Sequence, residues 1–136
     1  MNIPFHLAIG VSDLEKARQF YGNILNAKEG RSSHLWVDFN FFGHQLTCHL
    51  IKAQITSALN SNPVDNRDVP IPHFGVTLSA QEFDKIENRL REQGISFFIE
   101  PQIRFKNKTG EQKTMFFKDP FEHFIEIKSY TKKQEY

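Results

Sequence analysis

Two stretches decide the fold: HLAIGVSDLE at residues 6–15 and HFGVTLSAQE at residues 73–82. In each, a histidine opens a run of alternating apolar side chains, and a serine then stands three residues before a glutamate. Alternation with a period of two marks a half-buried strand, and the Ser-to-Glu spacing marks a capping box at a helix N-terminus. His6 and His73, Ser12 and Ser79, and Glu15 and Glu82 all lie 67 positions apart. A unit this small, present twice, implies two copies sharing one core or one cleft.

Outward from the first stretch, Phe5, Leu7 and Ile9 share one strand face, with His6 and Ala8 on the other. Ser12 reads as the cap of a helix whose apolar stripe is Leu14, Ala17, Tyr21, Ile24 and Leu25, with Gly30 beyond its end. Leu35, Val37, Phe39 and Phe41 then alternate with Trp36, Asp38 and Asn40, and Gly43 permits a tight turn into residues 45–51. This half reads β-α-β-β-β. The stretch from Ala53 to Pro72 contains Pro63, Pro70 and Pro72 without a clean period and reads as a crossover.

In the second copy Phe74, Val76 and Leu78 alternate behind His73, Ser79 caps a helix striped by Phe83, Ile86 and Leu90, and Gly94 closes it. Short strands follow at 97–99, 114–118 and 123–128, with Asp119 and Pro120 marking the last turn. Leu14, Ala17 and Tyr21 match Phe83, Ile86 and Leu90 at an offset of 69, as though two residues were inserted near the second helix start. The expected organisation is one domain over 1–136: module one at about 1–52, crossover 53–71, module two at about 72–130, and a polar tail 131–136 that frays.

The length of 136 residues suits a single domain, and 39% hydrophobic content with fourteen phenylalanines argues for a packed, aromatic interior. A formal net charge of +1 supplies no basic field, which argues against nucleic acid as a partner. The single cysteine, Cys48, excludes an intrachain disulfide and falls by alternation on the helix side of its strand, as a packed thiol. Residues Met1–Gly10 lack the basic and apolar regions of a signal peptide, and no stretch has the length of a membrane span. The expectation is a cytoplasmic protein with no membrane partner.

The polar strand faces carry the chemistry. His6 and His73 both point away from the helix side; Ile125 and Ile127 belong with that side, which leaves Phe124, Glu126 and Lys128 opposite. If the two modules turn these faces toward each other, two imidazoles and one carboxylate converge. That set suits a divalent metal ion: iron(II), zinc, manganese, nickel or cobalt. Open coordination positions would then polarise a water or a bidentate substrate. Taken singly, each residue reads as a polar group on a solvated strand; their matching places in a repeated pattern favour a common site.

These residues resemble the vicinal oxygen chelate superfamily, which includes glyoxalase I, extradiol dioxygenases, fosfomycin resistance proteins and bleomycin resistance proteins. The resemblance rests on His6 followed by Val11-Ser12-Asp13-Leu14 and Phe20-Tyr21, on His73-Phe74-Gly75-Val76, and on Phe117-Lys118-Asp119-Pro120 leading to Ile125-Glu126. It implies an α+β fold of two βαβββ modules whose mixed sheets curve into a cup with the helices outside, often in a homodimer. It also implies metal ligation by His6, His73 and Glu126 and a small-molecule substrate chelated through vicinal oxygens.

Two departures qualify the resemblance. Where glyoxalase I has a glutamate on the last strand of its first module, this chain places His49, or Gln45 in another register, which weakens an isomerase reading. Where the family often has Gly-Asn after Asp-Pro and one more residue, this chain has Glu122-His123. His49 lies six residues after Gly43, as Glu126 lies six after Pro120, which sets the two at equivalent strand depths; His49 stands open between a fourth ligand, a catalytic base and a histidine on a solvated strand. The run from Arg104 to Lys113 reads first as a solvated loop and, as the functional alternative, as a basic hairpin or lid in which Arg104 is the best grip for an anionic substrate. Trp36, Phe116 and Phe124 are the expected pocket aromatics. The leading activity is dioxygenation; the alternatives are a glyoxalase-type lyase or isomerase, a thiol transferase acting on an antibiotic, and non-catalytic drug sequestration.

Overall fold

The computed structural model describes residues 3–52, 60–64 and 67–132, without the side chains of 60–62, 64 and 67. The chain divides into two compact units, residues 1–56 with 120–122 and residues 57–119 with 123–136. The first unit runs β1 (His6–Val11), α1 (Leu14–Ala17) continued by a π-helix over Arg18–Ile24, β2 (Lys28–Ser32), β3 (Trp36–Phe41) and β4 (His44–Leu50). The second runs β5 (Asn60–Val64), β6 (Arg67–Ile71), β7 (His73–Thr77), α2 (Ala80–Glu92), β8 (Phe97–Arg104), β9 (Gln112–Lys118) and β10 (Phe124–Tyr130).

The sheets are ordered β1-β4-β3-β2 and β7-β10-β9-β8. In each, the first pair is parallel and the others antiparallel. Two βαβββ modules are therefore present, as the sequence predicts. Several details differ. Gly30 lies inside β2, a strand too polar and too exposed to alternate. The supposed crossover contains the β5–β6 ribbon, with Pro63 facing Asp68 and Pro70 facing Ser61. A two-stranded ribbon leaves each strand an open edge, where a residue without an N–H costs little.

The helices share a frame but not a cap. Ser79 and Glu82 form the predicted capping box of α2, each side chain bonding the other's backbone N–H. In the first unit the cap is Asp13, whose carboxylate accepts from Lys16 N at 3.0 Å, and not Ser12. Asp13 and Ser79 lie 66 positions apart, as do Ala17 and Phe83, so the second copy is one residue shorter before its helix, not two longer. Wide backbone bonds from Leu25 N to Phe20 O (3.0 Å) and Ala27 N to Tyr21 O (2.9 Å) then shift the helical phase. Ala17, Phe20, Tyr21 and Leu25 are buried as a result.

In the first unit Tyr21 is the hub, edge-on to Phe20 at 4.9 Å and close to Phe39 and Phe41 at 5.9 and 6.5 Å. Cys48 is fully buried. In the second unit Phe83, Ile86 and Leu90 of α2 are buried, as are Met115, Phe117, Ile125 and Ile127 on one face of β9 and β10. No helix among the described residues is long and apolar enough to cross a membrane.

Turns set the registers. Phe42 (φ 52°) and Gly43 (φ 89°) form a two-residue hairpin loop with both central residues left-handed, and Asn40 Oδ1 accepts from Gly43 N at 2.7 Å. The β9–β10 loop is longer. There Asp119 accepts from His123 N at 2.9 Å and lies 2.7 Å from His123 Nδ1, while Glu122 takes φ 69°. The expected lid is a fastened hairpin: Glu111 accepts from Asn107 N (2.9 Å) and from Thr131 Oγ1 (2.6 Å). These bonds, together with the lysines Lys132 and Lys106, hold the Glu111 carboxyl below its ordinary range. Thr131 thus bonds back to the hairpin at the start of the expected tail; residues 133–136 lie outside the described residues.

Candidate functional site

In the second unit, strand alternation places His73, Glu126 and Thr114 on the face opposite α2, and the register brings them together. Glu126 pairs with Gly75 on β7 and with Phe116 on β9. A side chain at Gly75 would collide with the Glu126 backbone, so glycine lets β7 run close beside it. Glu126 Oε1 lies 3.4 Å from His73 Nε2, and Glu126 Oε2 accepts from Thr114 Oγ1 at 2.6 Å. Lys128 Nζ stands 3.9 Å from Oε1, and Arg104 Nη1 4.0 Å from Oε2.

The electrostatics follow from these contacts. Glu126 raises the pKa of His73 above 6.5, against the opposing effect of burial, and the Pro70 carbonyl acts in the same direction as Glu126. For Glu126 burial is the largest single influence and pushes upward, but His73, Thr114 and Lys128 together hold the carboxyl below 4.5.

His73 Nδ1 lies 2.7 Å from the Pro70 carbonyl, which can only accept, so Nδ1 carries a proton. In the neutral ring Nε2 then directs a lone pair toward a carboxylate oxygen, an arrangement that calls for a cation between them. A proton satisfies it, and so would a divalent metal. The Pro70 carbonyl and the Thr114 hydroxyl orient the two donors as outer partners orient metal ligands. The pair therefore fits a metal through one nitrogen and one carboxylate. Among the described residues no three His, Cys, Asp or Glu side chains form a group able to hold a metal.

The other sequence-predicted residues stand as follows. Arg104 ends β8, almost wholly buried at 3% exposure beside Glu126, instead of lying in an exposed loop. Phe116 is fully buried, its ring edge-on to His73 at 5.0 Å and clustered with Val69 and Ile99, so it buttresses the histidine and does not line open space. Phe124 is buried against Phe98 at 4.9 Å. In the first unit His6 is exposed at the start of β1, opposite Gln45. Trp36 is half-buried on β3 and pairs with His49, with the Arg31 guanidinium 5.8 Å from its ring.

The equivalence drawn between His49 and Glu126 does not survive the register. Glu126 faces the residue two after His73, and the residue two after His6, Ala8, faces Thr47. His49 is level with Lys128, and Gln45 with Phe124. Counting from the turns misled because the two hairpin loops differ in length. Thr47 is buried and its Oγ1 donates to Asp38 Oδ1 at 2.6 Å. Sequence reading missed Thr114, Lys128, Thr47 and Asp38 as site residues. Alternation puts each on the polar face, but only cross-strand pairing says which of them meet.

The sequence profile of the family described as the Glyoxalase/Bleomycin resistance protein/Dioxygenase superfamily matches residues 3–127. A glyoxalase/bleomycin resistance protein/dioxygenase from Alicyclobacillus acidocaldarius is similar at 32% identity, covering 96% of this chain and 93% of that one, with a TM-score of 0.80. The fosfomycin resistance protein FosX from Listeria monocytogenes shares the fold at 21% identity, 96% and 95% coverage and a TM-score of 0.69. A glyoxalase/dioxygenase from Nostoc punctiforme shares it at 20% identity, 93% and 90% coverage and a TM-score of 0.68. No curated protein matches the chain.

Proposed function

Because the chain belongs to the glyoxalase/bleomycin resistance protein/dioxygenase superfamily, we propose that it is a metal-dependent enzyme acting on a small substrate chelated through vicinal oxygens. The observation that carries this reading is the His73 Nε2 to Glu126 Oε1 approach of 3.4 Å, with the far ring nitrogen held by a carbonyl. His73 and Glu126 are two of the proposed ligands, and His6 is the proposed third. Held by these residues, a divalent ion would supply Lewis-acid polarisation of substrate oxygens. Two histidines and one carboxylate favour iron(II) and a dioxygenase-like reaction.

The protein's own groups divide the remaining work. Thr114 fixes the orientation of Glu126, and the Pro70 carbonyl fixes the His73 tautomer. Arg104 and Lys128 place two cations within 4.0 Å of the carboxylate and favour a substrate with an anionic group. That pair also supports a second reading, transfer of a thiol to an anionic antibiotic. His49 is exposed and retains the proposed role of proton acceptor or fourth ligand, without the positional argument that first suggested it.

Elemental analysis of the purified chain beside His6→Ala, His73→Ala and Glu126→Ala tests the ligand set. Stoichiometric metal lost in the variants is expected, and unchanged metal content in all three would sink it. The iron(II) form is then assayed with catechols under oxygen, and the zinc, nickel and manganese forms with hemithioacetals and with an anionic epoxide plus thiol. Turnover of the epoxide alone would favour the transferase. Inactivity throughout, with tight drug binding, would replace enzyme with sequestering protein.

A further inference from the structure

We propose that an open cleft on the first sheet is a binding site for an α-amino carboxylate, with Asp38 receiving the ammonium group and Arg31 the carboxylate. The cleft has a volume of about 370 Å³ and is lined by Arg31, Asp38, Asn40, His44 and Gln45, among others. Every one of these residues belongs to the first unit. The inference goes beyond the metal reading and holds whether or not His6 is a ligand.

The cleft follows from an irregularity. The β2–β3 register shifts between Glu29 and Ser32, across Gly30 and Arg31. A bulge of this kind re-aims a side chain, and here it brings Arg31 Nη2 to 3.7 Å from Asp38 Oδ2. Gly30 lies against Asp38, whose Cβ is 3.5 Å from where a Cβ of residue 30 would stand, an ordinary packing distance.

Asp38 is a prepared acceptor. It is only 8% exposed, with Oδ1 held by Thr47 at 2.6 Å and Oδ2 bonded by Gln45 Nε2 at 3.4 Å. A buried carboxylate is costly unless amply hydrogen-bonded, and a hydroxyl with one long amide bond leaves lone pairs to fill. Arg31 is the opposite. Its side chain is 82% exposed, so its loose pairing with Asp38 contributes little and is readily opened by a ligand.

His44 adds polarity to the rim. Its Nδ1 accepts from Phe5 N at 2.9 Å, so the proton of the neutral ring sits on Nε2 as a further donor. An anion alone would satisfy Arg31 and be repelled by Asp38; a cation alone would meet the reverse. A ligand bearing an ammonium and a carboxylate on one carbon satisfies both, and charge-assisted bonds at each end give it preference. Gln45 is the register partner of His6, so the occupant lies at the His6 end of the sheet.

The test uses the full chain with L-phenylalanine, L-phenylalaninamide and N-acetyl-L-phenylalanine, followed by amide NMR and calorimetry. L-Phenylalanine is expected to shift the signals of Gly30, Arg31, Gly43 and Gln45 and to bind about tenfold or more tightly than either singly charged analogue. Arg31→Gln, an exposed change that leaves the core intact, should erase the preference over the amide and keep that over the N-acetyl compound. Asp38→Asn should do the converse. Equal affinity for the three probes, no saturable binding, shifts centred elsewhere, or preferences unaltered by Arg31→Gln would overturn the proposal.

Discussion

The two sheets have the same strand order and the same parallel first pair, and each carries on its polar face a hydroxyl 2.6 Å from a buried carboxylate. In the second sheet the carboxylate, Glu126, is on β10 and the hydroxyl, Thr114, on β9. In the first the strands are exchanged but not the positions: Thr47 is on β4, level with Glu126, and Asp38 is on β3 directly opposite it, level with Phe116 and not with Thr114. Only Glu126 has a histidine beside it; Asp38 has glutamine and arginine. One backbone frame therefore supports two chemistries, a nitrogen and carboxylate pair suited to a metal and a carboxylate with an open cation suited to a ligand. Moving an acid by one strand is enough to separate them.

The comparison can be broken most severely by placing a second acid in the first sheet. Thr47→Glu puts a carboxylate level with Glu126 but against Asp38 and without a histidine, and burying that unpaired charge should cost about 3–5 kcal/mol in chemical denaturation. Unchanged stability would mean that the sheets are more interchangeable than their contacts imply. The reciprocal change acts on metal binding. Thr114→Val should weaken metal affinity about 10–100-fold by freeing Glu126, read by competitive chelator titration, whereas Thr47→Val should leave metal affinity unaltered.

A third prediction concerns protons in the metal-free protein. His73 sits above its ordinary 6.5, so its bound proton stabilises the fold below pH 6.5, and that contribution disappears as pH rises through the raised value. Glu126 sits below 4.5, so its contribution is present above pH 4.5 and is lost as pH falls through the lowered value. Both operate together between pH 4.5 and 6.5. Histidine ring NMR should show His73 titrating late, and Glu126→Gln should lower its midpoint; an unmoved midpoint would deny the coupling. The smallest effect lies in the helix caps. Ser79→Ala and Asp13→Ala should each cost about 1 kcal/mol, and Ser12→Ala close to none, by thermal or urea unfolding. A comparable loss from Ser12→Ala would restore the 67-residue offset to the first cap.

Much of the frame was legible because its signals are local. Alternation around His6 and His73 located the first strand of each module, and the Ser79-to-Glu82 spacing located α2. The π-helical turn was not legible, because the apolar positions between Leu14 and Leu25 also satisfy an ordinary helical period; only the wide bonds to Phe20 and Tyr21 carbonyls distinguish them. Nor was β2 legible, since all five of its residues are exposed and polar or glycine. In the site, alternation put His73 and Glu126 on one face. It was silent on Arg104, whose sequence neighbours read as a solvated loop while its own side chain is buried beside Glu126.

By itself the sequence determined that a βαβββ unit occurs twice and which face of each strand is polar, because side-chain direction along a strand depends only on a two-residue period. Tertiary structure decided which polar groups meet: that Thr47, and not His49, is level with Glu126, and that Asp38 rests under Arg31. Those pairings depend on register, and register is set by loop length and by hydrogen bonds between strands distant in the chain.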